Sequence, residues 1–136
     1  MEIPNSPSIM PGVRIGSLEL GEFPLLLAPM EDVSDPPFRA VCKQGGADLM
    51  YTEFISSEGL VRDAVKSRQK LDIYEHERPM GIQIFGGELE PMLGAVDKVA
   101  EASPDIIDLN FGCPVKNVVC KDAGSGMLRN LPKLIQ

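Results

Sequence analysis

The chain has 136 residues, 43% of them hydrophobic, and carries 13 Lys and Arg against 20 Asp and Glu, for a formal net charge of -7 at pH 7. A chain of this size and composition predicts one small domain with its own core, which excludes a wholly disordered protein. The acidic balance argues against nucleic-acid binding by this chain alone, because affinity for phosphates comes mainly from Lys and Arg. The longest apolar run, residues 23–30, contains two prolines and is too short to cross a membrane.

The N-terminus and the cysteines bear on location and on metal binding. Residues 1–4 lack the basic stretch and apolar core of a secretory signal, so we expect a cytoplasmic protein. Cys42, Cys113 and Cys120 are an odd number of cysteines without close paired spacing, which disfavours both a disulfide framework and a zinc site. The only histidine, His76, lies in a charged run. We therefore predict reduced thiols and no metal site.

The predicted elements begin with a hairpin, because residues 13–21 alternate apolar and polar side chains around a Gly-Ser turn. From Phe23 onward, short apolar runs alternate with stretches of helical period, the pattern of repeated strand and helix units. The predicted strands are residues 24–28, 49–52, 80–85 and 105–110. The predicted helices run from a cap at Ser34 or Asp35 to Gly45-Gly46, through Leu60, Val61, Ala64 and Val65, along residues 89–100, and onward from residues 130–132.

The predicted strand ends, Ala28, Thr52, Phe85 and Asn110, lie 24 to 33 residues apart. These are β/α unit lengths, since a closed barrel of eight units needs ~250 residues. The fold class predicted is therefore α/β, the N-terminal half of a TIM (β/α)8 barrel, with residues 1–22 as an N-terminal segment with the hairpin and residues 23–136 as the barrel half. An open doubly wound sheet of four strands is the alternative. Both architectures place chemistry beyond the carboxyl ends of the strands.

Two sequence features place polar groups within or directly after the predicted strands. The segment Asp108-Leu109-Asn110-Phe111-Gly112-Cys113-Pro114 delivers an amide and a thiol into a loop. The alternative interpretation makes Cys113 a small buried hydrophobe and Asn110 a turn former. Gln83 interrupts an apolar strand and needs a partner once buried, for which a core hydrogen bond is the plain explanation. Cys42 and Cys120 are interpreted as structural, and the Gly124-Ser125-Gly126 run lacks the other features of a phosphate loop.

Several motifs in order resemble the tRNA-dihydrouridine synthases: Ala28-Pro29-Met30, residues 33–39, Thr52-Glu53, residues 82–86, residues 108–114, Lys116 and residues 123–125. That family has a flavin-binding (β/α)8 barrel followed by a smaller helical domain. It reduces the C5=C6 bond of uridines in tRNA with FMN and NADPH. The resemblance implies that Ala28, Pro29 and Met30 line the flavin, that Gln83 hydrogen-bonds its ring, that Asn110 helps to place flavin or uracil, and that Cys113 is the catalytic acid.

The implied chemistry suits these residue types. Hydride transfer from the flavin to C6 leaves negative charge that a proton at C5 must neutralise. Thiols have pKa values near ~8.5 and are mostly protonated at neutral pH, so a thiol can serve as that acid without a histidine partner.

Two limits accompany the resemblance. The family's second half, with its phosphate-binding groups and helical domain, has no counterpart here, so we expect an N-terminal fragment that is inactive alone. The alternatives are a flavin-dependent dehydrogenase acting on dihydroorotate or a free pyrimidine, and a non-catalytic half-barrel that self-associates through its edge strands.

Overall fold

The computed structural model describes residues 12–136. It opens with an antiparallel hairpin of two short strands, β1 (Arg14–Ile15) and β2 (Leu18–Glu19), in which Arg14 pairs with Glu19. Gly16 turns the chain between them with φ of +59°, a left-handed conformation that glycine adopts without steric cost. The hairpin lies within the segment for which one is predicted.

The five remaining strands form one parallel sheet. They are β3 (Leu26–Leu27), β4 (Leu49–Tyr51), β5 (Ile55–Ser56), β6 (Met80–Phe85) and β7 (Ile106–Leu109). β4 pairs with the start of β6, and β5 pairs with its end on the same side, so β5 extends the line of β4. β5 is not predicted from the sequence, and β3 is shorter than predicted.

The order of these strands across the sheet decides between the two predicted architectures. β3, β4, β6 and β7 are neighbours in the order in which they occur along the chain, and every pair is parallel. A doubly wound sheet reverses its strand order at a switch point, whereas a barrel adds each strand beside the previous one. The sequential order excludes the doubly wound alternative for these strands and confirms a partial (β/α)8 barrel.

Residues 12–136 also form six α-helices, placed between and after the strands: α1 (Pro36–Gln44), α2 (Ser57–Val61), α3 (Val65–Gln69), α4 (Leu89–Glu101), α5 (Lys116–Val119) and α6 (Leu131–Ile135). Short 3-10 helices occupy Glu75–Glu77 and Gly124–Arg129. Asp35 caps α1 by accepting a 3.0 Å hydrogen bond from the backbone N–H of Phe38, as predicted. Asn130 likewise caps α6.

Two helix predictions need correction. The single helix predicted through Leu60 and Val65 is two helices, because Asp63 adopts φ of +54° and breaks the helical path between them. Leu60 is buried, whereas Val61 and Val65 are exposed. The short apolar spacing therefore indicated a helix without a continuous buried face.

The predicted apolar face of α1, formed by Phe38, Val41 and Cys42, does not lie in the core. Phe38 and Val41 are exposed, and Cys42 is half-buried. The buried side chain of α1 is Arg39, which pairs with the buried carboxylate of Glu77 in the 3-10 helix Glu75–Glu77. The hydrophobic pattern did not predict this burial, because arginine is a charged residue.

The main core lies between the sheet and the helices. Ile82 and Ile84 of β6 point to that side with Ile55 of β5, and they pack with Leu60, Ala95 and Val99 of α2 and α4. Successive side chains of a strand face opposite ways, so Gly81, Gln83 and Phe85 of β6 face the other side of the sheet, the inside of a barrel. Within residues 12–136, no helix is long and apolar enough to span a membrane.

Candidate functional site

A cleft of ≈ 610 Å³ opens at the carboxyl ends of the strands, within the size range of small-molecule sites. Four of the six predicted site residues line it: Pro29, Gln83, Asn110 and Cys113. Ala28 and Met30 flank Pro29 in the same loop and do not themselves line the cleft. The fold thus brings together residues that are up to 84 positions apart in the sequence.

Gln83 and Asn110 are joined by hydrogen bonds at the base of this cleft. The Gln83 side chain is buried, with 7% exposure, and its Nε2 donates to Asp108 Oδ2 at 2.5 Å. Asn110 Nδ2 donates to Gln83 Oε1 at 2.9 Å. The partner that a buried amide requires is therefore supplied by two neighbours from β7 and its following loop. Sequence reasoning did not identify Asp108, although it stands two residues before Asn110 and faces the same side.

Cys113 is held in the cleft by its own backbone. Its N–H donates to Asn110 Oδ1 at 2.9 Å, and its carbonyl accepts from the Ser125 N–H at 3.0 Å. Gly124 approaches so closely that a Cβ there would lie 2.7 Å from the Cys113 oxygen. The Gly124-Ser125 turn therefore packs against the loop that carries Cys113, a contact that the sequence does not predict.

The three cysteines are unpaired, and they differ in environment. Cys113 is buried at the edge of the cleft, Cys42 is half-buried on α1, and Cys120 is exposed after α5. Cys113 alone of the three lines the cleft. This placement separates it from the two thiols interpreted as structural.

The loop that carries Pro29 is fixed by Ser34, which is fully buried. Ser34 Oγ donates to the carbonyl of Ala28 and accepts from the N–H of Met30, both at 2.9 Å. One hydroxyl therefore satisfies a backbone acceptor and a backbone donor on either side of the proline, which has no N–H of its own. This arrangement presents Pro29 to the cleft in one conformation.

Ser34 is anchored in turn by a buried ion pair between Arg39 and Glu77. The guanidinium donates to both oxygens of Glu77 at 3.0 Å, and its remaining nitrogen donates to the Ser34 carbonyl at 2.9 Å. The two side chains are only 3% and 0% exposed. The fork of Arg matches a carboxylate at two points, so the pair is geometrically specific. His76, next to Glu77, is exposed and stacks on Tyr74.

A group of three carboxylates borders the cleft. Glu31, Asp32 and Glu53 bring oxygens within 4.8 Å of one another. The Nζ of Lys70 lies 2.5 Å from Glu31 and 3.7 Å from Glu53, and the Asp32 N–H donates to Glu53 at 2.6 Å. The ammonium of Lys70 and the backbone N–H of Asp32 are therefore donors to this group.

Among residues 12–136, Glu31 is the only charged residue that lines the cleft, and it pairs with Lys70. On β4, burial raises the pKa of Tyr51, and the negative charge of Asp108 raises it further. The described lining therefore offers amide groups and apolar side chains to a ligand, and no cation for a phosphate group.

Comparison with known proteins agrees with this geometry. The model of the family described as Dihydrouridine synthase (Dus) matches residues 26–136. tRNA-dihydrouridine synthase B of Pseudomonas putida is 40% identical over 121 residues, which are 89% of this chain and 36% of the relative. A probable tRNA-dihydrouridine synthase of Aquifex aeolicus is 41% identical over 110 residues, which are 79% of this chain and 34% of the relative.

A third relative, a probable tRNA-dihydrouridine synthase of Rickettsia prowazekii, is 38% identical over 120 residues, covering 87% of this chain and 36% of the relative. The chain thus spans about a third of the length of these curated relatives. The family match nevertheless covers nearly the whole sheet and the cleft. The chain belongs to the dihydrouridine synthase family.

Proposed function

We propose that the protein containing this chain reduces the C5=C6 bond of uridine in tRNA, with FMN as cofactor and NADPH as reductant. The observation that carries the proposal is the meeting of Gln83, Asn110 and Cys113 in one cleft of a chain of this family. The curated relatives are named for the same activity on tRNA. A tRNA substrate would also place the protein in the cytoplasm.

The fit to FMN rests on the lining of the cleft. Phe54, Leu109 and Phe111 give it apolar walls, and the two amides provide polar contacts for the edge of a ring. Gln83 would hold the flavin ring, and residues 28–30 would line it. FMN, when bound, supplies the hydride for C6 of uracil. Its phosphate needs cationic or backbone partners outside this cleft, as at the later strands of other barrels.

Cys113 would act as the general acid. In its protonated form the thiol donates its proton to C5 as hydride reaches C6, so the S–H bond breaks and a C5–H bond forms. The thiolate that results regains a proton from solvent before the next turnover. Asn110 would place the uracil or the flavin beside this thiol, because its side chain binds the Cys113 backbone directly.

The alternative activity on dihydroorotate or free pyrimidines uses a similar barrel, and the family match favours the tRNA reaction. The two are separated by assaying the full-length protein with FMN and NADPH on unmodified tRNA, on free uridine and on dihydroorotate. Dihydrouridine in tRNA alone supports the proposal. Turnover of the free pyrimidines with none of tRNA contradicts it.

For residues 1–136 alone we propose a different outcome. The edge strands β3 and β7 expose apolar side chains, with Leu26 and Leu109 each at 45% exposure. Exposed sheet edges and apolar patches favour association with another chain. We therefore infer that the isolated chain self-associates and lacks synthase activity, which sedimentation and the tRNA assay would test.

A further inference from the structure

A chain of hydrogen bonds runs from Asp108 to the backbone of Cys113. Asp108 accepts from Gln83 Nε2 at 2.5 Å, and Gln83 Oε1 accepts from Asn110 Nδ2 at 2.9 Å. Asn110 Oδ1 then accepts from the N–H groups of Gly112 and Cys113, both at 2.9 Å. Two side-chain amides therefore lie between a carboxylate and a pair of backbone donors.

The two ends of this chain determine how both amides are oriented. A backbone N–H can only donate, so it requires the oxygen of Asn110, and the amino group of Asn110 must then face Gln83. Gln83 meets that donor with its oxygen, which turns its own amino group towards Asp108. An ionised carboxylate can only accept, so this end demands the same orientation.

A flip of the Gln83 side-chain amide would place its amino group against the amino group of Asn110 and its oxygen against the carboxylate of Asp108. Both contacts would be repulsive at a side chain that is only 7% exposed. Asp108 and Asn110 therefore both disfavour the reversed amide of Gln83. The register supports this role, because Gln83 and Asp108 are direct partners on β6 and β7.

We propose that Asp108 is a positioning residue that fixes the amide of Gln83 as a donor towards the ligand, beside the Asn110 amide that the backbone already orients. This inference rests on the proposed function. The oxygen of Asn110 already accepts two hydrogen bonds, so its free capacity is one N–H. Gln83 likewise retains one N–H beyond its bond to Asp108. The matching ligand atoms are carbonyl oxygens or unprotonated ring nitrogens, which both flavin and uracil present.

The pKa of Tyr51 depends on Asp108 even when no ligand is bound. Its ring packs over Gly81, the β6 residue that faces the same side as Gln83, so closely that a Cβ on Gly81 would clash. The negative charge of Asp108 contributes to the raised pKa of Tyr51.

The test is a double-mutant cycle in the full-length apoprotein, with FMN affinity measured by quenching of flavin fluorescence. Asp108→Leu removes the acceptor, and we expect about a tenfold loss of affinity, the scale of one mispaired hydrogen bond. Asp108→Asn retains an oxygen that can accept from Gln83 and should recover most of that loss. Asp97→Leu, which removes an exposed carboxylate of α4, is the matched control and should leave the affinity unchanged.

The cycle is completed by Gln83→Leu alone and with Asp108→Leu. Because Asp108 acts through Gln83, Asp108→Leu should have little further effect once Gln83 is leucine. An equal loss in both backgrounds would overturn the proposal, as would a lowered melting temperature with FMN affinity intact.

A second readout needs no FMN. The side-chain amide proton signals of Gln83 in the apoprotein should shift in Asp108→Leu, because its amino group loses its acceptor, whereas those of Asn110, which two backbone N–H groups orient, should change little. Unchanged Gln83 signals would overturn the positioning role. Failure of the wild-type protein to bind FMN would instead contradict the proposed function, and the amide signals would still decide the role of Asp108.

Discussion

Asn110 accepts a 2.9 Å hydrogen bond from the backbone N–H of Cys113, three residues further along the chain. The amide proposed to place the ligand and the thiol proposed to protonate it therefore belong to one rigid turn. Positioning of a general acid within hydrogen-bond reach of its target is the first requirement of this catalysis. The turn holds the amide and the thiol close together by local geometry, and the 124–125 turn packs against it.

The first prediction concerns Gln83→Leu in the full-length protein. The substitution removes an amide proposed to bond the flavin ring and should weaken FMN binding by roughly 1 kcal/mol. Because Gln83 also bonds Asp108 and Asn110, a lower melting temperature is expected as well. FMN titration of the folded variant is the deciding measurement. Unchanged FMN affinity beside reduced stability would make Gln83 a core partner only.

The second prediction concerns the buried pair of Arg39 and Glu77. Arg39→Met leaves an uncompensated carboxylate in the interior and should destabilise the chain by about 3–5 kcal/mol, measured by urea unfolding. The matched control is Lys98→Met, because Lys98 pairs with Asp63 at the surface. An exposed pair contributes only about 0–1 kcal/mol.

The double variant Arg39→Met with Glu77→Met should regain part of the lost stability, since it removes the unpaired charge. Equal small losses for Arg39→Met and Lys98→Met would contradict the account of Arg39 as an internal anchor for Ser34.

The third prediction concerns pH. Burial and the charge of Asp108 raise the pKa of Tyr51 above its usual value near ~10, so the folded state binds the proton more tightly than the unfolded state. The stability that the neutral phenol contributes is therefore complete below pH ~10 and is lost as the pH rises through the folded pKa. Tyr51→Phe should flatten the alkaline decline in the urea midpoint.

The phenol can be observed directly, because the chain has two tyrosines and no tryptophan. In a Tyr74→Phe background, absorbance of tyrosinate reports Tyr51 alone, and adding Asp108→Asn should lower its pKa. An unchanged pKa of Tyr51 in the Asp108→Asn variant would contradict the proximity of the two groups.

The fourth prediction concerns residues 1–136 alone. The cleft offers ring contacts and no cation in its lining, so the purified chain should be colourless. Titration with FMN should produce little quenching of flavin fluorescence at micromolar concentrations. A yellow preparation with stoichiometric FMN would mean that two copies had assembled a complete site.

Much of the fold was predictable because its signals are local. The apolar runs at 49–52 and 80–85 and the Asp35 cap correspond to observed strands and a helix start. The sequential strand order was not predictable, because short apolar runs do not encode which strands are neighbours. The pairing of β6 with β4 on one side and β7 on the other distinguished the sequential strand order of a barrel from the reversed order of a doubly wound sheet.

The candidate site shows a similar division. Asn110, Gly112 and Cys113 form a local turn, and their spacing indicated it. Asp108, Arg39 and Glu77 act through partners from distant parts of the chain, and each reads as an ordinary surface charge in the sequence. These side chains become internal hydrogen-bond partners only in the folded structure. The roles proposed for the six site residues stay predictions.

The most direct test of the central claim is the rate of dihydrouridine formation in unmodified tRNA, measured by mass spectrometry of its nucleosides. The full-length protein is compared with Cys113→Ala and with Cys120→Ala, which removes an exposed thiol outside the cleft. We predict that wild type and Cys120→Ala form dihydrouridine equally, and that Cys113→Ala is slower by about 10²-fold or more while NADPH still reduces its flavin. Unchanged dihydrouridine formation by Cys113→Ala would contradict the assignment of Cys113 as the acid, and its absence in wild type would contradict the proposed reaction.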